Sequence, residues 1–530
     1  MTKERKNNVV GDDLARVLPA DRRAWWKTPH LLKLNGFIAA LLLYSSTVGY
    51  DTSLMNGLQS LTQWKVFMDH PEGAWLGFIS AIQSLGAILG LPLQAWAANR
   101  YGRKPCIWIG YIFITLGVGL QVGARNPAMF IVSRLFMGHA GAWFQAAMIL
   151  ITEIAYPTHR SKLSAMYNCQ FYVGSTLAAW LTYGCRNINS SWAWRIPSLL
   201  QIGFPVLALP CALLSPESPR WLISQDRHRE AREFLVKYHS GGDEFDPLVT
   251  FQMEEIAKSI AMEREAQNST HWIDMLKTKG NRHRFFISVS LGIFAQWNGV
   301  GVVSYYLTLI LDTIGITSVT QQTLINGFLQ VWNLIMAVCG SMAVDFAGRR
   351  TLFFLSTGIM LVSYIIITGL SGSFATTHLS SVGTSVIPFL FIYYGGYDLA
   401  FTPLVIAYPA EIWNYSLRAK GLALTSTCTF LALLFNQFVN PIALASIAWK
   451  YYILYICLLV VILLTVWLAY PETRGYSLEE IAVVFDGEDA AVPGEAEVLG
   501  KVAAVKHDLL AQHVENVAGR EEAERGREEK

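Results

Sequence analysis

Charge is scarce in this chain. Asp, Glu, Lys and Arg make up 15 % of 530 residues, against roughly 25 % in soluble domains. The formal net charge is only +2, so no basic surface for nucleic acid is implied. Cysteine is sparse as well. Cys106, Cys169, Cys185, Cys211, Cys339, Cys428 and Cys457 fall mostly in apolar segments, where a thiol acts as a small hydrophobe. No Gly-rich phosphate loop, paired catalytic carboxylates or Cys–His metal spacing stands out. The sequence therefore gives no support for an enzyme, and neither a metal nor a cofactor is expected. The first 30 residues are polar and lack an apolar core, so no secretory signal peptide is expected.

What the chain has instead is hydrophobic length. Apolar residues reach 53 %, and each apolar stretch of about 20 residues can cross a bilayer as a helix. Twelve such stretches are expected, at 32–50, 74–97, 105–123, 128–152, 163–184, 194–214, 285–309, 321–344, 351–370, 386–409, 419–441 and 449–470. The fold class is all-α integral membrane, with two six-helix bundles over 32–214 and 284–470. Residues 1–31 and 471–530 read as polar ends. Residues 215–283 read as a polar linker with a helical run at 253–267. With both termini cytoplasmic, the short inner loops carry more Lys and Arg than the outer ones, as the positive-inside rule asks. Asn189-Ser190-Ser191 matches a glycosylation sequon on the outer side.

The chain also repeats itself. Asn99-Arg100-Tyr101-Gly102-Arg103-Lys104 returns as Asp345-Phe346-Ala347-Gly348-Arg349-Arg350. Glu153 followed by Arg160 returns as Glu411 followed by Arg418, and Pro216-Glu217-Ser218-Pro219-Arg220 returns as Pro471-Glu472-Thr473-Arg474. Two related halves in an apolar chain argue for a transporter with its site between them. Gly102 and Gly348 suit tight turns that need positive φ. Arg100, Arg103, Glu153, Arg160, Glu217, Arg220, Asp345, Arg349, Glu411, Arg418 and Glu472 form a duplicated charge set. The expectation is a latch: Glu–Arg pairs that join the bundles in one conformation and release them in the other.

With these motifs the chain resembles the sugar porters of the major facilitator superfamily, over about residues 33–485. Within them it is similar to the fungal lactose-permease-like branch, through Gly49-Tyr50-Asp51, Trp194-Arg195-Ile196-Pro197, Phe401-Thr402-Pro403-Leu404 and Asn436-Gln437-Phe438-Val439-Asn440-Pro441. The resemblance implies alternating access and proton-coupled sugar uptake at a plasma membrane, by a monomer working in the lipid bilayer. It implies a proton-coupling pair, Asp51 at the end of helix 1 opposed by Arg134. It also places substrate contacts at Asn168, Gln296, Trp297, Asn298, Asn333, Asp398 and Asn436, since polar groups in spans tend to face a cavity or a partner. The chain departs from the branch at Asn298 (usually Ser), Val300 (usually Asn), Val405 (often Gln), Asn99 (usually Asp) and Met148 (commonly Pro). Two lost amides leave fewer partners for sugar hydroxyls. A less hydroxylated metabolite is therefore an alternative substrate, and a non-transporting sugar sensor an alternative function.

Overall fold

The computed structural model describes residues 17–18, 25–474, 481 and 484–486, except for the side chains of Ser161, Lys162, Ala165, Gln267, Asn268 and Asp345. Among the described residues the regular structure is entirely helical. Twelve long helical segments follow the expected stretches: α1 (Pro29–Ser60), α2 (Gly73–Tyr101), α3 (Arg103–Val122), α4 (Pro127–Ile154), α5 (Arg160–Cys185), α6 (Trp192–Leu214), α7 (Lys279–Thr313), α8 (Val319–Ala347), α9 (Arg349–Thr377), α10 (Val386–Ile412), α11 (Tyr415–Ile447) and α12 (Tyr451–Ala469). Most are long and apolar enough to cross a membrane on composition alone; α5 is long enough but more polar. That polarity has a structural use, because α5 lies between the two bundles, packed on α1 and on α8.

The helix ends follow local rules. Pro127 opens α4, and the Asn126 side chain accepts from the Met129 N–H at 2.9 Å. Gly102 and Gly348 adopt φ of 103° and 83° in the one-residue links α2–α3 and α8–α9. A side chain at either would run into Glu217 or Glu472. Helix α7 breaks at Asn298-Gly299, where Gly299 takes φ 103°. α10 carries Pro403 and Pro409 within its length.

In the first bundle α1 packs on α5 and α6, and α4 on α2 and α3. In the second, α7 packs on α11, while α10 packs on α8 and α9. Large apolar side chains such as Leu207, Leu214, Trp467 and Leu468 are exposed. Such a surface fits hydrocarbon better than water. The free thiols divide: Cys106 and Cys185 are buried, whereas Cys339 and Cys457 are exposed.

At the end opposite the repeated motifs the bundles are zipped together. Asn56 of α1 donates to the Ser304 carbonyl (2.6 Å) and accepts from the Leu307 N–H (3.1 Å). Gln59 donates to the Tyr305 carbonyl (3.0 Å), and Ser60 meets Thr308 (3.0 Å). At the motif end the helix Pro247–Ser269 and its flanking residues touch both halves. On one side Arg220 pairs with Glu263, and His239 bonds Gln252 (2.7 Å) and the Ile154 carbonyl (3.1 Å). On the other, Lys420 reaches the Thr270 hydroxyl (2.6 Å) and Tyr415 donates to the Ser259 carbonyl (3.3 Å).

Candidate functional site

Helix α1 runs on to Ser60, so Asp51 does not end it as the sequence suggested but lies buried within it. Within the run Asp51–Ser60, the side chains of Asn56, Gln59 and Ser60 find partners on α7. Arg134 sits two turns into α4, also buried, with its Nη1 3.5 Å from Asp51 Oδ1. Its Nε donates to the Ile79 carbonyl (3.2 Å). A third residue, which sequence reasoning missed, completes the group. The Gln83 amide of α2 donates to Asp51 Oδ2 and accepts from Arg134 Nη2. A carboxyl and a guanidinium group thus sit in a low-dielectric interior with a neutral amide engaging both.

A cavity of about 190 Å³ opens beside this group. Its polar lining is Thr47, Asp51, Thr52, Gln83, Ser84 and Gln145 from the first bundle, with Tyr305 and Gln437 from the second. It therefore lies between the bundles, where a duplicated transporter needs a site. Ser84 donates to the Gln437 side chain across the seam.

None of the seven expected substrate residues lines this cavity. Asn298 is fully buried, and its Oδ1 accepts the Val300 N–H (2.9 Å), capping the second half of broken α7. Trp297 donates to the Ala432 carbonyl (3.3 Å) and lies against Phe435. Asn436 donates to the Gln296 carbonyl (2.5 Å), and the Gln296 side chain is half-buried. Asn168 is half-buried on α5. Asn333 is fully buried, with both amide atoms lacking a hydrogen-bond partner. Asp398 accepts from Tyr172 of the other bundle (2.6 Å) and from Thr402 (2.7 Å), while its Oδ2 is left over.

The duplicated charges form two matching braces, each inside its own bundle. Arg103 pairs with Glu153 at 2.8 Å, and Glu217 accepts from the Arg103 and Lys104 N–H groups (3.2 and 3.0 Å). In the second bundle Arg349 pairs with Glu411 at 2.8 Å, and Glu472 accepts from the Arg349 and Arg350 N–H groups (2.8 and 3.1 Å). Burial opposes charge on Glu472, yet the backbone donors of Arg474, Arg349, Arg350 and Thr473 outweigh it and hold the carboxyl below its ordinary range. In this conformation neither Glu153 nor Glu411 joins bundle to bundle; each pairs with the arginine of its own half. The reason is geometric: the one-residue turn at Gly102 or Gly348 puts the arginine beside the neighbouring helix end of its own bundle.

The other charges do different things. Arg100 is exposed near the rings of Trp96 and Tyr101. Arg160 stands in the field of Glu255, Arg220 and Glu153. Arg220 also reaches Ser259 (3.2 Å). Arg418 donates to the Trp413 carbonyl (3.4 Å) beside the Tyr415 ring. The side chain of Asp345 is outside the described residues.

Comparison with known proteins places this geometry. The chain is 28 % identical over 457 residues to the MFS-type transporter oryC of Aspergillus oryzae, covering 84 % of each chain. It is 27 % identical over 491 residues to the high-affinity glucose transporter of Kluyveromyces lactis, covering 88 % of each. The sugar transporter STL1 of Saccharomyces cerevisiae is 29 % identical over 480 residues, 86 % of this chain and 81 % of that one. Among solved structures, the inward open conformation of the xylose transporter XylE from E. coli superposes with a TM-score of 0.70 at 23 % identity, covering 85 % of this chain and all of that one. The proton:xylose symporter XylE bound to 6-bromo-6-deoxy-D-glucose gives 0.68 at 24 %, covering 85 % of this chain and 99 % of that one. Those two likenesses show the fold. The profile of the family described as "Sugar (and other) transporter" matches residues 37–485, and the chain belongs to that family of membrane transporters.

Proposed function

We propose that this protein takes up a sugar together with protons, by alternating access across a fungal-type plasma membrane with both termini on the cytoplasmic side. The observation that carries this reading is the buried Asp51–Arg134 pair beside a cavity between two bundles. A carboxylate in a span is costly unless paired or hydrated. Arg stays charged while Asp can take up and release a proton, so the pair can load one as the cavity changes sides. The relatives named for glucose and sugar transport, and the structural neighbour that is a proton:xylose symporter, support the same substrates.

On this reading residues 32–214 and 284–470 are the moving bundles, 215–283 is the cytoplasmic linker, and 1–31 and 471–530 are cytoplasmic ends. The protein works as a monomer in the lipid bilayer. The arginines and glutamates of the two braces face each other across the cytoplasmic end when the opposite end opens. Asn168, Gln296, Trp297, Asn333, Asp398 and Asn436 contact substrate once the bundles rearrange, and Asn298 holds the break in α7 that lets them do so. A less hydroxylated substrate is a second reading, favoured by buried Val300 beside that break. The experiment is a radiolabelled uptake screen in a host without its own transporters, with and without a protonophore. Protonophore-sensitive uptake of a sugar supports the proposal; uptake of none, or uptake that ignores the protonophore, removes it.

A further inference from the structure

We infer that Gln83 is a positioning residue for proton coupling, holding Asp51 and Arg134 as a bridged pair that opens easily rather than a direct one. The inference rests on the proton-coupled reading above. Asp51 Oδ1 and Arg134 Nη1 face each other at 3.5 Å, yet both are buried without a hydrogen-bond partner. The partners' other atoms, Oδ2 and Nη2, are instead both engaged by the Gln83 amide, which donates to one and accepts from the other. A direct bidentate guanidinium–carboxylate contact is the stronger arrangement, because both hydrogen bonds join opposite charges. The amide replaces half of that contact with two charge-to-neutral bonds.

The backbone fixes where the amide stands. Gly138 of α4 lies so close to α2 that a methyl group there would overlap the Gln83 carbonyl. Gln83 also lines the cavity, so the bridge is within reach of whatever enters it. The next residue, Ser84, donates to Gln437 on α11 of the opposite bundle. Consecutive residues of α2 thus hold the proton pair and the seam, and a separation of the bundles that moves α2 disturbs the bridge. Tyr305 and Tyr306 of α7 are the titratable groups that act on the pair from the second bundle. From α5 and α11 the cavity residues are Phe171, Phe430, Leu433 and Gln437, none of which titrates.

Without the amide, Arg134 Nη2 is free to turn onto Asp51 and close the pair. The carboxylate then loses the neutral amide N–H but gains a direct guanidinium contact, the stronger of the two; the ionised form is favoured, so loading a proton requires a more acidic outside. The test is the pH dependence of uptake in cells carrying the normal protein, Gln83→Leu or Gln83→Met, with surface abundance measured alongside. Leucine removes the bridge; methionine keeps its length without hydrogen bonds, so the test stands if one variant is poorly made. The expected result is an acid shift of the uptake midpoint by about one pH unit in either variant. A purely structural role lowers abundance or maximal rate and leaves the midpoint in place, and that result overturns the inference, as does an alkaline shift. If the normal protein itself shows no pH midpoint and ignores a protonophore, the proton-coupled reading fails instead, which separates the two outcomes.

Discussion

Replacing Asn56 by alanine should open the zipped end of the molecule. The Asn56 side chain makes two close cross-bundle hydrogen bonds, to the Ser304 carbonyl (2.6 Å) and from the Leu307 N–H (3.1 Å), besides a long one to the Val303 carbonyl (3.5 Å). Each such bond contributes about 0.5–1.5 kcal/mol net, so the closed arrangement loses about 1–3 kcal/mol. The bonds exist only while the seam is closed, and the loss therefore appears almost wholly as a shift between states. Such a shift corresponds to about a 5- to 150-fold change in their ratio. The shift can be read with a reporter, Thr52→Cys, on the cavity wall, in a background lacking exposed Cys339 and Cys457. A membrane-impermeant maleimide added to intact cells should modify the reporter several-fold faster when Asn56→Ala is present. An equal or slower rate would refute the reasoning that this seam gates the outer side.

Asn298→Ala should lower the thermal midpoint of the purified protein by about 2 °C, the effect of losing a cap of about 1 kcal/mol, with substrate KM unchanged; a raised KM would return Asn298 to the ligand site. Glu411→Gln leaves Arg349 facing a neutral amide, and should reduce turnover about fivefold at equal surface abundance, since the charge-assisted bonds are the stronger ones; unchanged uptake would remove the brace from the cycle. Burial pulls His239 down to about 4 from an ordinary 6.5, against the help of its bonds to Ile154 and Gln252. The undocked linker therefore binds a proton that the docked one refuses. Docking is fully stable above about pH 6.5 and loses up to about 3 kcal/mol as pH falls toward 4. Protease cleavage of the linker should rise across that window and stay flat in His239→Gln; equal pH dependence in both would remove His239 as the cause.

Much of the architecture is legible from composition and repetition, because span length and the duplicated turns are local properties. Gly102 and Gly348 announce their turns by residue type, and their φ values of 103° and 83° follow. The opposition of Asp51 and Arg134, implied by resemblance, is present at 3.5 Å. What composition hides is which polar groups meet. Gln83 and Asn56 belong to no motif singled out in the sequence, and only the approach of α2 to α4 and of α1 to α7 gives them their partners. Asn298 reads as a ligand-facing amide in one dimension, yet the break at Gly299 turns its oxygen onto the Val300 N–H. The ion pairs show the same limit. Motif spacing identifies Arg103, Glu153, Arg349 and Glu411, but not that each arginine finds the glutamate of its own bundle.

The most direct test of the account is accumulation by purified protein in liposomes under an imposed membrane potential, comparing the normal protein with Asp51→Asn. One positive charge carried inward gains roughly 2.3 kcal/mol per 100 mV, enough to concentrate a neutral sugar about 50-fold, since each 1.4 kcal/mol is a factor of about ten. The normal protein should concentrate its sugar several tens of times and acidify the lumen as it does so. Asp51→Asn should lose both the accumulation and the proton flux while still exchanging sugar down its gradient. Accumulation that survives Asp51→Asn, or sugar movement by the normal protein with no accompanying protons, would contradict the account.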